Sequence, residues 1–516
     1  MWGSSGSGQP GTRAKDSGLR TRSALPVPYT DIGPEAGNSR KIVRFQSIFV
    51  GDCSSRAFLI HQWVEISRDY QPQRPGPTGA PGSACSRKVH TTMEMNERMS
   101  KRWWLLGVGV LVSIGALLAC GSNYNRSQDG LLLVGSQGSG LIETFSFTLS
   151  NGHVSAIANS PADTANQTCA LKGVPASMVM DPAGAYAYVV ISEVECGGKG
   201  FLISAFKVNS DGSTTPAGTP VSDPNPVALS MDAAGKFLFV AEGTQGLVHV
   251  YKIGSGGGLT GVPGTFNFVN GAGFQPPNIA AVAATPTVFP GIGVNGTQNS
   301  VCSVPQNSPP SAQFLYAVDS ANYVVYEFAV DTSTGALGNP SGTTVVPFFP
   351  TDQVPAGVAV DPCNRFVYVS DSQTNKVSAY TICTKVIVPT PCPRADGSLI
   401  AVAGSPFSLS GNANGAGPIA VDPYGNNVYV VGTLSNTVSP LKITPTSGAL
   451  VGMTPAVVAT GQEPKAIVIR ADDNWMFVSN YSGPSVSQYS IVPATGALTV
   501  AATIQTDNYP WGVAVK

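Results

Sequence analysis

The phrase VPAGVAVDPCNRFVYVSDSQTNKVSAYTI, residues 354–382, recurs along the chain and leaves few folds open. Its proline-led part returns at 175–181 (PASMVMD), 226–232 (PVALSMD), 355–361 (PAGVAVD), 464–470 (PKAIVIR) and 510–516 (PWGVAVK), with a weaker copy from Pro277 and another from Ala416 whose proline has moved to Pro418. Each copy reads as a first strand. A second strand is expected at 186–190, 237–241, 314–318, 366–370, 428–431 and 475–479. A third, of the form β-branched-x-x-aromatic/Leu-x-apolar, is expected at 203–208, 248–253, 325–330, 377–382, 438–443 and 486–491. Turns such as TSTGALG, TPTSGAL and PATGALT then introduce a fourth. Four short strands every ~45–50 residues, punctuated by Gly and Pro, make up one blade of a propeller.

The two ends of this pattern are complementary. It begins at 131–135 and 142–147 with strands two and three only, and it finishes with strand one only, YPWGVAVK. Unpaired terminal strands would leave edge hydrogen-bonding groups exposed. Pairing them completes a seventh blade and removes both edges. The expected fold is therefore all-β, a seven-bladed β-propeller over 131–516 closed by its N- and C-terminal strands. Composition agrees: only 11% of residues are charged, while Gly (58) and Pro (41) are abundant, which suits short strands and many turns.

The segments DPAGAYAYVV, DPCNRFVYVSD and DPYGNNVYVV resemble the YVTN-type repeat and the seven-bladed propellers of the 6-phosphogluconolactonase-like (lactonase) family, over essentially 130–516. The resemblance implies hydrolysis of sugar lactones by His, Arg and Glu side chains on one face. The acidic part of that set is matched at Glu193 and Glu242.

Ahead of the repeat, the charge balance changes sign. Residues 1–119 hold 15 Lys+Arg against 8 Asp+Glu, and 120–516 hold 14 against 22, so +7 gives way to −8. Lys101 and Arg102 precede an apolar run from Trp103 to Ala119 and then small residues, the layout of a secretory signal peptide at 93–119. A spanning anchor is the competing reading of that run. Leu117-Leu118-Ala119-Cys120 resembles a bacterial lipobox, which implies lipidation of Cys120, a tether at 120–130, and an exported protein held at the cell envelope through lipid alone. Residues 1–92 are read as an upstream extension or as disorder, outside the fold.

Six cysteines then remain in the repeat region, an even number that suits disulfides in an exported chain. Their places in the blades favour the pairs Cys169–Cys196, Cys302–Cys363 and Cys383–Cys392. No CxxC occurs, which argues against a zinc site of thiolates.

Candidate chemistry lies at the ends of the second strands. Glu242, Asp319, Asp371 and Asn480 occupy one repeat position, and Glu193 lies close by in its blade. Brought together at a central funnel, they could bind a ligand or a divalent cation, or act as general acid and base. Glu193 and Glu242 are the catalytic candidates, and Asp319, Asp371 and Asn480 the ligand-binding ones. No organic cofactor is evident. The Asp181, Asp232, Asp361 and Asp422 series reads instead as turn capping. His153 and His249 have no partner visible in the sequence, so a nucleophilic triad is not supported. The acidic charge after residue 120 argues against nucleic-acid partners. Two function classes stay open. One is a lipid-anchored module binding a small molecule or protein at a propeller face. The other is a lactone hydrolase.

Overall fold

The computed structural model describes two strands between 42 and 66 and, within 129–516, all but 158–159, 161, 164–172, 193–199, 244–245, 264–265, 268–275, 286–290, 293–297, 300–312, 340–346 and 384–396. The strands Ile42–Val50 and Phe58–Ile66, in the segment read above as lying outside the fold, pair antiparallel with each other. The signal segment, Cys120, Glu193 and four of the six cysteines lie outside the described residues. Cys363 and Cys383 are within them, and both are disulfide-bonded.

Seven antiparallel sheets follow one another in chain order: blade 1 (129–163 with 510–515), blade 2 (174–223), blade 3 (226–267), blade 4 (279–350), blade 5 (355–408), blade 6 (416–459) and blade 7 (464–505). Blade 1 is built as the sequence requires. Pro510–Val515 pairs with Asp129–Ser136, Leu133 opposite Ala514, and Leu131 and Lys516 exchange backbone hydrogen bonds of 3.1 and 2.8 Å.

The recurring proline has a mechanical explanation. In blades 3, 5 and 7 the inner strand opens on it, and its register slips directly afterwards, between Pro226 and Ala228, Pro355 and Gly357, and Pro464 and Ala466. A residue with no N–H belongs at an edge or a bulge, and here it has both. The fourth strand differs from expectation. It is continuous only in blades 2 and 7, at Thr214–Asp223 and Ala497–Gln505. Elsewhere two short segments share the third strand, as Leu399–Ala401 and Phe407–Ser408 do on either side of Pro406.

Strand alternation sends successive side chains into opposite crevices. Seven apolar clusters result, one between each pair of neighbouring blades and including the pair 7 and 1. The crevices are stitched at the rim as well. Tyr368 of blade 5 donates its hydroxyl to the Gly448 carbonyl of blade 6, and Tyr429 of blade 6 does the same to Gly496 of blade 7. A side chain at Gly448 would run into Phe366, and its φ of 76° suits glycine. The glycine of the TSGAL-type turn is thus the seat for the preceding blade's aromatic residue.

At the same end of the blades, the turn acids cap backbone amides as expected. Asp232 accepts from Lys236 and Phe237 at 2.6 Å each, and Asp181 accepts from Ala185 and Tyr186. The left-handed turn position holds Gly184, Gly235, Asn364 and Gly425, but Asp473 in blade 7.

Candidate functional site

The second strand of blade 3, Phe237–Glu242, shows where its last residue points. Leu238 and Val240 pack with Tyr188, Ile203 and Ala205 of blade 2, while Phe239 and Ala241 pack with Leu315 and Ala317 of blade 4. Alternation therefore places Glu242 on the blade 2 side. His249, on the third strand, stands opposite Val240 and so shares that side, diagonal to Glu242. Asp223 arrives from blade 2 as the last residue of its outer strand. The second and third strands of blade 3 and the outer strand of blade 2 thus deliver one side chain each to a single crevice.

The three side chains meet there. His249 Nδ1 lies 2.8 Å from Asp223 Oδ2 and 2.9 Å from Glu242 Oε1. The imidazole's hydrogen bond is made with Asp223, and Glu242 Oε1 has none. The Tyr251 hydroxyl donates to the same Asp223 Oδ2 at 2.8 Å. Both carboxylates are fully buried, whereas the imidazole is 20% exposed and forms the mouth. Burial raises Glu242 to about 7, helped by the Asp223 carboxylate beside it and opposed by His249. The hydrogen bond to Asp223 raises His249, against its own desolvation. Glu242 Oε2 and Asp223 Oδ1 are buried without a hydrogen-bond partner.

The same step of the repeat is occupied quietly in other blades. Asp371 accepts from the backbone and hydroxyl of Ser378, seven residues on, at 3.0 and 2.7 Å. Asp319 accepts from Asn278, Ala321 and Tyr326. Asn480 joins Thr460, Ser485 and Ser487. In blade 1 the polarity is reversed, with Ser136 donating to Glu143 at 2.6 Å.

The expected gathering of these residues at a central funnel is not what the structure places. Asp319, two residues beyond Ala317, faces blade 3; Asp371, beyond Val369, faces blade 4; Asn480, beyond Val478, faces blade 6. Each sits in its own crevice, because the strand's pleat rather than the ring's axis sets its direction. Among the described residues of the set, Glu242 alone meets both a second carboxylate and an imidazole. His249, which has no partner visible in the sequence, has two. Asp223 and Tyr251 were missed. A usable signal existed, since Asp recurs three residues before the strand-one proline at Asp223, Asp352 and Asp507. In blades 5 and 1 it is the backbone amide of that residue that reaches the polar pair, to Ser378 at 3.1 Å and to Glu143 at 3.0 Å. In blade 3 it is the carboxylate.

A groove of about 610 Å³ lies elsewhere, between the outer strands of blades 7 and 1. Its lining offers His153 and no carboxylate. The crevice of blades 2 and 3 is the richer in chemistry.

The family described as Lactonase, 7-bladed beta-propeller, matches residues 132–277 and 399–515, together just over half of the 516. The chain belongs to the seven-bladed lactonase family. The match at 132–277 contains Asp223, Glu242, His249 and Tyr251. This lactonase-family chain is 24% identical over 238 residues to a 6-phosphogluconolactonase of Pectobacterium carotovorum, covering 42% of the chain and 69% of that relative. Its fold is similar to the periplasmic gluconolactonase of Pseudomonas aeruginosa, with a TM-score of 0.53 at 17% identity, over 75% of this chain and 99% of that one. A protein of Lactobacillus plantarum aligns over 75% and 99% with a TM-score of 0.57 at 16% identity.

Proposed function

We propose that this protein hydrolyses a sugar lactone in the crevice between blades 2 and 3. The observation that carries the reading is the meeting of Asp223, Glu242 and His249, three titratable side chains within hydrogen-bond distance in a crevice that opens at the imidazole. Membership of the lactonase family supports a hydrolase over a binding module. Opening a lactone adds one water to a cyclic ester. The water's oxygen bonds to the carbonyl carbon, the bond from that carbon to the ring oxygen breaks, and the departing oxygen takes up a proton to become a hydroxyl. A carboxylate with unsatisfied oxygens can accept a proton from the attacking water, and a neighbouring group that carries one can return it to the leaving oxygen. The crevice holds both kinds of group side by side. Its apolar floor, Val240 and Tyr251 against Ile203 and Ala205, keeps bulk water from the buried carboxylates.

The test is a panel of five- and six-membered sugar lactones, measured against their spontaneous hydrolysis. Glu242→Gln keeps the side chain's shape and should lower kcat/KM by about 10²–10⁴-fold, the usual weight of general acid–base catalysis. A panel with no turnover above background, or equal turnover by Glu242→Gln, would overturn the reading.

A further inference from the structure

The crevice of blades 2 and 3 brings two buried carboxylates to one place, where its counterparts hold at most one, and has few hydrogen-bond donors to meet them. Asp371, a lone carboxylate, has two donors from Ser378 on Oδ2 and a bare Oδ1, and Glu143 has the Ser136 hydroxyl and the Asp507 amide. Asp223 and Glu242 together present four carboxylate oxygens, with both residues 0% exposed. The two donors that reach them, His249 Nδ1–H and the Tyr251 hydroxyl, both go to Asp223 Oδ2. Glu242 Oε1 touches the imidazole off its N–H direction, and Glu242 Oε2 and Asp223 Oδ1 are unpartnered. Buried carboxylates left this way are costly unless a positive charge joins them.

The geometry points to that charge. We propose that Asp223, Glu242 and His249 bind a divalent transition-type cation such as Mn²⁺ or Zn²⁺. One ligand atom from each residue, the imidazole nitrogen and two carboxylate oxygens, lies within 4.8 Å of the others. The separations of 2.8 and 2.9 Å from Nδ1 to the two oxygens match neighbouring corners of a coordination sphere with metal–ligand bonds of about 2.0–2.2 Å. Two carboxylates neutralise a divalent ion. An imidazole among the ligands favours Mn²⁺ or Zn²⁺ over Ca²⁺, which takes oxygen. The Tyr251 hydroxyl on Asp223 is the outer partner that holds a ligating carboxylate in place. The partly exposed imidazole marks the entry path. This inference concerns the same cluster as the lactone reading, but it needs no substrate to test.

The full chain, stripped with chelator, is titrated with Mn²⁺ by calorimetry and by loss of the free-ion paramagnetic resonance signal. One ion per chain should bind, and the melting temperature should rise with ion concentration. Glu242→Gln and His249→Gln should each weaken binding at least about tenfold, while Asp371→Asn, the same repeat step in blade 5, should bind as the parent does. Absence of saturable binding by the parent at millimolar Mn²⁺ and Zn²⁺ would overturn the proposal, as would unchanged binding in both blade 3 variants or selection of Ca²⁺ over the other two. Because binding is read without substrate, an ion that binds to a protein inert towards lactones sinks only the lactone reading. Undiminished turnover by stripped protein that takes up no ion sinks only the cation.

Discussion

Blades 3 and 5 carry a carboxylate at the same step of the repeat, at the end of the second strand, facing the preceding blade. In blade 5 the residue seven positions on is Ser378, which supplies two donors, and the loop acid Asp352 turns outward to Lys376 at 2.9 Å. In blade 3 the corresponding residue is His249, and Asp223, at the end of blade 2's outer strand, turns inward. A histidine in place of a serine, and an acid turned inward, make a cluster of titratable groups from a strand end that in blade 5 is capped on one oxygen. Chemistry here arises from withdrawing satisfaction at one step of a repeat, while the framework that aims the groups stays the same.

Installing the blade 5 residue in blade 3 breaks the comparison most directly. His249→Ser should leave the ring folded, with Glu242 newly capped, and lower lactone turnover by about 10²-fold or more. Parallel kinetics and melting curves check it, and equal turnover would mean that His249 is only a strand residue.

An uncapped buried carboxylate also occurs away from the crevice. Asp473 stands at the turn position where four other blades hold Gly or Asn, and both its oxygens are buried without a hydrogen-bond partner. Burial, then the charges of Asp422 and Asp472, raise it to about 8. The folded state therefore holds a proton that the unfolded chain releases near pH 4. Its contribution is complete at acid pH and is lost as pH rises from about 4 through about 8. Asp473→Asn keeps a residue that tolerates the left-handed turn, and at pH 9 it should be more stable than the parent by about 3 kcal/mol, the difference vanishing at pH 4. Denaturant melts at the two pH values decide it, and a difference independent of pH would refute the assignment.

Asp371 gives the smallest effect. Burial raises it to about 7 against the Ser378 hydrogen bonds, so its contribution too fades from about pH 4 to about 7. Asp371→Asn should flatten this part of the stability profile by about 1–2 kcal/mol and leave lactone turnover within about twofold. A larger loss of turnover would place Asp371 in the working site after all.

Much of the ring was legible because each constraint on it is local or periodic. The proline marks the inner edge, the Asp turn caps its own amides, and the split blade requires closure. Seven apolar crevices follow from the alternation of strands such as Phe237–Glu242. The cluster was only half legible, for the opposite reason. Glu242 could be found by its repeat position, but its direction comes from the pleat, which a view of charges lined around an axis ignores. Asp223 belongs to the outer strand of one blade and His249 to the third strand of the next, and nothing periodic couples them. Only the recurrence of Asp before three of the strand-one prolines hinted that an acid is near, and whether it offers amide or carboxylate depends on packing. The divided fourth strand was misread because turn signals announce where it starts and do not reveal that Pro406 and its counterparts interrupt the pairing.

The bulge that opens the inner strands has a consequence for how such a molecule can change over generations. It gives each crevice nearly the same backbone address, yet each crevice is shared by only two blades. A novelty at one address is therefore quarantined. Trading a serine for a histidine between blades 2 and 3 leaves the seals between blades 4 and 5, or 7 and 1, untouched, so the ring can try new chemistry in one compartment while the other six keep it whole.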